Sequence, residues 1–96
     1  MLKDIREILT EDLTDPTFQQ AFLMAMYEEG GTEGVLEGLR EIALATGRMG
    51  EIARNAGIAR TTVYRSLSKN GNPAFRTVRA ALNTLGLDLA VVPKTP

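Results

Sequence analysis

Apolar residues recur at three- and four-residue steps along most of the chain, and glycine, proline and Asx signals separate the recurrences. Residues 2 to 13 carry Leu2, Ile5, Ile8, Leu9 and Leu13 at this spacing, which predicts a short amphipathic helix. Thr14-Asp15-Pro16 predicts the next start, with Asp15 as N-cap and Pro16 at the first helical position. That helix runs to about Glu29, with Phe18, Phe22, Ala25 and Met26 in one stripe and Leu23, Met24 and Tyr27 partly off it. So much apolar surface means either a helix buried on several sides or one that meets a partner, and burial is the commoner case in a small domain. Gly30-Gly31 ends the helix, and Thr32 caps a third that runs to about Thr46 with Val35, Leu36, Leu39, Ile42 and Ala43 inward. Gly34 and Gly38 have the GxxxG spacing, but glutamates interleave them. They read as sites of close packing that cost some helix stability.

The stretch Met49–Leu67 organises the rest. Ile52, Ala53 and Ala56 make one apolar face, and Gly57 stands where the chain leaves the helix through a left-handed turn. Ile58 anchors the turn, and Val63 and Leu67 give a second helix its inward face. Arg60, Thr61, Thr62, Tyr64 and Arg65 are left pointing outward, without a carboxylate among them. Guanidinium, hydroxyl and methyl groups suit the base edges and phosphates of a DNA groove, so the stretch is a helix-turn-helix candidate. Helical bundles that never touch nucleic acid show a similar outline. The small Ala53 at the expected crossing, Gly57 four residues later and the absence of proline favour the DNA reading. After the loop Ser68–Asn72, Asn72-Pro73 predicts a further helix with Phe75, Val78, Ala81, Leu82 and Leu85 inward, stopped by Gly86. The tail Leu87–Pro93 ends β-branched and reads as a short strand. A lone strand cannot satisfy its own hydrogen bonds, so pairing with a second copy or with an amino-terminal strand is expected, and with it a homodimer. The apolar helix from Phe18 to Tyr27 is the other candidate dimer surface.

Ninety-six residues make one domain near the size where oligomerisation often adds stability. Its parts are an acidic helical segment (1–47), a helix-turn-helix core (48–86) and a strand and tail (87–96). The absence of cysteine and histidine excludes disulfides, Cys/His zinc sites and histidine acid–base chemistry. No cofactor or metal is expected. Glu28 with Glu29, and Glu33, Glu37 and Glu41 at four-residue spacing, form a solvated stripe rather than a metal site, so no enzyme is expected. The opening MLKDIREILTEDL is charged throughout, reads as neither a secretion signal nor a membrane span, and points to a cytoplasmic protein. The net charge of −1 conceals a split: three basic against ten acidic side chains through Gly47, a net of −7, then eight against two from Arg48, a net of +6. Such asymmetry suggests two faces with different partners, and the basic half holds the helix-turn-helix.

The run EIARNAGIARTTVYRSLSKNGNPAFRTVRAALNTLGLDLAV resembles the Cro/repressor (Xre-type) helix-turn-helix proteins. It resembles more closely the addiction-module antidote proteins, the HigA-like antitoxins. The matching residues are Ile52 to Arg54, Gly57, Ile58, Arg60, Tyr64 to Ser68, Gly71 to Pro73, Phe75, Thr77, Leu82 and Leu85 to Leu87, and the upstream DPTFQQAFLMAMYEEG is similar to that family's first long helix. The resemblance covers about residues 12 to 92. Ala59 departs from the Ser or Thr common at the start of the recognition helix, and Met49 departs from a polar residue that faces phosphate. The implied fold is all-α: a five- to six-helix domain of lambda-repressor-like type with a short C-terminal β-strand. The implied function is an autoregulating antitoxin that binds double-stranded operator DNA as a dimer and holds a basic toxin of the RelE/ParE superfamily. Arg60, Thr61 and Arg65 are then expected at base edges and Thr62 and Tyr64 at the flank or on the backbone. Arg48, Lys69, Asn70 and Asn72 are expected on phosphates. A stand-alone phage- or plasmid-type repressor is the alternative.

Overall fold

Asp15 is extended (φ −86°, ψ 113°), and its Oδ1 accepts the Thr17 backbone N–H at 3.0 Å. One unpaired donor of the helix start is thereby satisfied, and Pro16 follows where a missing N–H costs nothing. The structure, a computed structural model, describes residues 15–95; the helix predicted for residues 2 to 13 lies outside them. The first described helix, α1 (Pro16–Thr46), contains one non-helical residue, Gly31, at φ 59° and ψ −141°. A straight helix of 31 residues would span about 46 Å, longer than the 40 Å major axis of the molecule. The chain turns back at Gly31. A methyl group on Gly38 would stand 2.8 Å from Leu23 Cδ2 and 3.4 Å from Phe22 Cε2, residues that an unbroken helix would carry about 22 Å away. One on Gly34 would run into the Met26 carbonyl. The two glycines are thus the seam where the arms of α1 meet.

That seam rotates the first arm relative to the predicted stripe. Leu23 and the polar Gln19 are buried and Phe18, Phe22 and Met26 are half-buried, whereas Ala25 is exposed, as are Met24 and Tyr27. The second arm buries Leu36, Leu39, Ile42 and Ala43 as its period requires. Gly47 closes α1 in the left-handed region (φ 69°), and the Arg48 N–H reaches back to Ala43 O at 2.9 Å. Three shorter helices follow: α2 (Met49–Ala56), α3 (Arg60–Leu67) and α4 (Phe75–Thr84). Met49, Ile52 and Ala53 of α2, Val63 and Leu67 of α3, and Ala81, Leu82 and Leu85 at the end of α4 complete one core with α1.

The described residues hold four helices and no strand, which corrects the expected five to six helices with a C-terminal strand. The break at Gly30-Gly31 is a single residue, so two predicted helices form one bent element. The segment Leu87–Pro93 lies beside no strand and makes no ladder. It runs instead beside α4: Asn83 Nδ2 donates to Leu87 O at 2.7 Å, and Arg79 Nε donates to Asp88 Oδ1 at 3.3 Å. Val91 and Val92 are exposed. The start of α4 also moves. Asn72 and Pro73 lie outside it, and Ala74 (φ −62°, ψ 151°) is the N-cap without a side-chain hydrogen bond. The buried face then centres on Thr77, Ala81 and Thr84, four and three residues apart. Phe75, expected inward, is 76 % exposed.

The Asp88 carboxyl is held below its ordinary range, first by the Leu89 backbone N–H at 2.8 Å and then by hydrogen bonds from Arg79 and Asn83. A carboxylate with a depressed folded-state pKa supports the fold above its unfolded value of 3.8, and that support is lost as the pH falls through the folded value. Acid titration followed by NMR is therefore expected to release the Leu87–Leu89 backbone only at a pH below the ordinary 3.8. Asp88→Asn should remove that step while leaving the global melting temperature nearly unchanged, because the group is exposed.

Candidate nucleic-acid interface

Helix α2 ends at Gly57, which is left-handed (φ 71°); its N–H meets Arg54 O at 3.2 Å, and the next N–H, of Ile58, meets Ala53 O at 3.1 Å. A β-carbon at Gly57 would find open space, so glycine serves the backbone conformation there and not a close approach. Ile58 packs half-buried on the core, and Ala59 returns the chain to an extended conformation (φ −68°, ψ 147°) before α3. Ala59 O accepts from Thr62 and Val63, but no side chain caps the helix start. Val63 and Leu67 are 0 % and 1 % exposed. With those two side chains fixed in the core, the helix period forces Arg60, Thr61, Thr62 and Arg65 outward, and all four are exposed. No ion pair to Arg60 or Arg65 occurs among the described residues.

Tyr64 and Arg48 stand differently from the sequence expectation. Tyr64 is half-buried against the core, and the Arg60 guanidinium lies over its ring, 5.7 Å from the centroid. This cation–π contact holds the arginine stem while its donors remain free to face outward. Arg48 donates through Nη1 to Thr84 O at 2.6 Å and lies 3.7 Å from Glu51, tying the start of α2 to the end of α4. Asn55 Nδ2 makes a second tie, to Thr84 Oγ1 at 2.8 Å, while that hydroxyl donates to Ala80 O. Sequence reading passed over Asn55 and Thr84. The available signal was a threonine three residues beyond Ala81 and seven beyond Thr77, on what proves to be the buried stripe. Met49 is 1 % exposed and is a core residue.

The last turn of α3 and the loop after it form a polar groove of about 400 Å³ lined by Thr62, Arg65, Ser66, Lys69, Asn70 and Asn72 among others. Two cations and several amide and hydroxyl groups face it, and its lining contains no carboxylate. Lys69, Asn70 and Asn72 are exposed, and Asn70 is left-handed at φ 68°. Thr62, Arg65, Lys69, Asn70 and Asn72 therefore come together on one groove. Arg60 and Thr61 are exposed on the first turn of the same helix, Tyr64 is half-buried beneath Arg60, and Arg48 is drawn away to α4. A second polar recess, between α2 and α4, is lined by Asn55, Arg76, Arg79, Ala80 and Asn83. It brings together Arg76 and Arg79, the second of them paired with Asp88. Neither groove contains a cluster of metal-ligating side chains among the described residues, and no helix there is long and apolar enough to cross a membrane.

The fold and this face define a small helical protein that presents one polar, cationic helix on an apolar footing. A family model described as "probable addiction module antidote protein" matches residues 5–93, and the chain belongs to that family. An uncharacterised protein of Haemophilus influenzae is 39% identical over 83 residues, spanning 86% of this chain and 84% of its own length. No solved structure matches the chain.

Proposed function

We propose that this protein is the antitoxin of a type II toxin–antitoxin module, of HigA-like kind. It uses α2 and α3 as a Cro/repressor (Xre-type) helix-turn-helix on the operator of its own operon. One observation carries the DNA reading: the exposed face of α3 has arginine and threonine but no acid, while the residues between them lock the helix into the core. Family membership carries the antitoxin reading. In this reading α3 lies in the major groove, Arg60, Thr61 and Arg65 meet base edges, Thr62 lies at the flank, and Lys69, Asn70 and Asn72 contact phosphates. Two copies as a homodimer would engage half-sites about 34 Å apart. The acidic α1 supports the second role, steering a basic RelE/ParE-like toxin to that helix. A cytoplasmic location follows from an operator as target.

Two measurements test this. Anisotropy titration with a labelled fragment of the upstream promoter should give a complex whose log affinity falls linearly with log salt. Arg60→Ala should cost roughly 1–3 kcal/mol, concentrated at one operator base pair, with the melting temperature unchanged. Uniform weakening on unrelated sequences would make Arg60 a phosphate anchor, and a complex indifferent to salt would remove the DNA reading. Co-expression with the adjacent reading frame should recover a tight complex. Recovery of the antidote alone would leave a plain repressor.

A further inference from the structure

We propose that Gly71 is a positioning residue: its missing side chain lets the loop after α3 lie against the helix end, and that approach sets where Lys69 and Asn70 stand beside Arg65. The inference rests on the DNA-binding reading above and concerns how the same face is built.

Four of the described glycines are explained by a positive φ: Gly31, Gly47, Gly57 and Gly86. Gly71 is not among them. What it cannot accept is volume. A β-carbon there would collide with the Ser66 carbonyl oxygen, stand 2.6 Å from the Ser66 carbonyl carbon and 2.7 Å from Arg65 O. All three are backbone atoms and cannot rotate aside. The same two turns hold the loop by hydrogen bonds. Arg65 O accepts from Ser68 N at 3.3 Å and Ser68 Oγ at 2.6 Å, and Ser68 O accepts from Gly71 N at 2.8 Å. Asn70, left-handed at φ 68°, makes the reversal that brings Gly71 back onto α3. The chain between the two anchors, Ser68 and Gly71, is only Lys69 and Asn70, so their positions follow from where Gly71 can sit. They face the groove that Thr62 and Arg65 line. A residue with a β-carbon at position 71 pushes the loop off the helix end. The lysine then no longer reaches the phosphate beside the bases that Arg65 meets, though α3 itself keeps its footing on Val63 and Leu67.

The test is a salt series with the labelled promoter fragment on wild type, Lys69→Ala, Gly71→Ala and the double variant. Lys69→Ala should make the plot of log affinity against log salt shallower by about one unit, the loss of one phosphate contact. Gly71→Ala should do the same and lower affinity about tenfold at physiological salt. It should keep the helical circular dichroism and the wild-type preference between the operator and a single-base variant. The double variant should match Gly71→Ala alone, since the contact is already gone. A wild-type slope in Gly71→Ala, or a further full unit lost in the double variant, overturns the proposal and leaves the DNA reading standing. Absence of any salt-dependent complex with wild type overturns both. If Gly71→Ala fails to fold, Asn70→Val disfavours the left-handed reversal without placing an atom against Ser66. It should then show the same shallow slope, and a wild-type slope there counts against the proposal equally.

Discussion

Gly34→Ala is expected to lower the melting temperature and Gly50→Ala to raise it, although each adds one methyl group to a helix. On an open helical surface the exchange favours alanine by up to about 1 kcal/mol, because glycine loses more backbone entropy on folding. Gly50, in α2, has nothing within 4 Å of the new atom, so that gain should appear nearly whole. Gly34 has the Met26 carbonyl in the way, its carbon 2.9 Å from the built position. The obstacle is backbone belonging to the other arm of α1, so relief requires the arms to separate and the Leu23–Leu36–Leu39 contacts to loosen. Overpacking of this kind costs about 1–3 kcal/mol and outweighs the propensity gain. A net loss of about 2 kcal/mol corresponds to roughly 8–16 °C in a domain of this size. Thermal melts of the two variants decide it. A rise in both would mean that the arms of α1 do not meet at Gly34.

Leu67→Ala should cost about 2–5 kcal/mol of stability, since the side chain is 1 % exposed and its removal leaves a cavity under the last turn of α3. Its effect on DNA differs in kind from that of Arg60→Ala. Leu67 supports the helix without facing outward, so affinity should fall only as the folded fraction falls, and cooling or an osmolyte should restore it. Arg60→Ala should weaken binding at every temperature while the melt stays where it was. A denaturation curve and a titration on each variant separate footing from contact. Full DNA affinity in a half-unfolded Leu67→Ala sample would show that α3 is not the element that binds.

Most of the helical course was legible in the residues. Asp15-Pro16, Gly47 and Gly57 mark boundaries that depend only on local backbone chemistry, and the described structure has them where local chemistry requires. Four of the five residues read as outward on α3 are exposed, because Val63 and Leu67 are four apart and leave one face over; Tyr64, the fifth, leans half-buried on the core. Position 75 was misread: Asn72-Pro73 is a good cap and first residue in isolation, but the chain stays extended until Ala74. Phe75 is left exposed and Thr77 and Thr84 join the buried face, while Ala81, Leu82 and Leu85 are buried as their spacing requires. The tail misled for a related reason. A β-branched run says that a strand is possible, while a ladder needs a neighbour, and the described tail bonds to Arg79 and Asn83 side chains instead.

The sequence by itself determined that the described chain is helical, the left-handed turn at Gly57 and the division of charge between an acidic first half and a basic second half. These follow from period, capping and composition, all short-range properties. The close packing read at Gly34 and Gly38 holds, but tertiary structure alone decided that their partners are Phe22, Leu23 and Met26, that Arg48 and Asn55 bind Thr84, and that the backbone at Gly71 rests on the end of α3. Each of these joins residues whose proximity depends on where whole helices cross, and no local pattern encodes that.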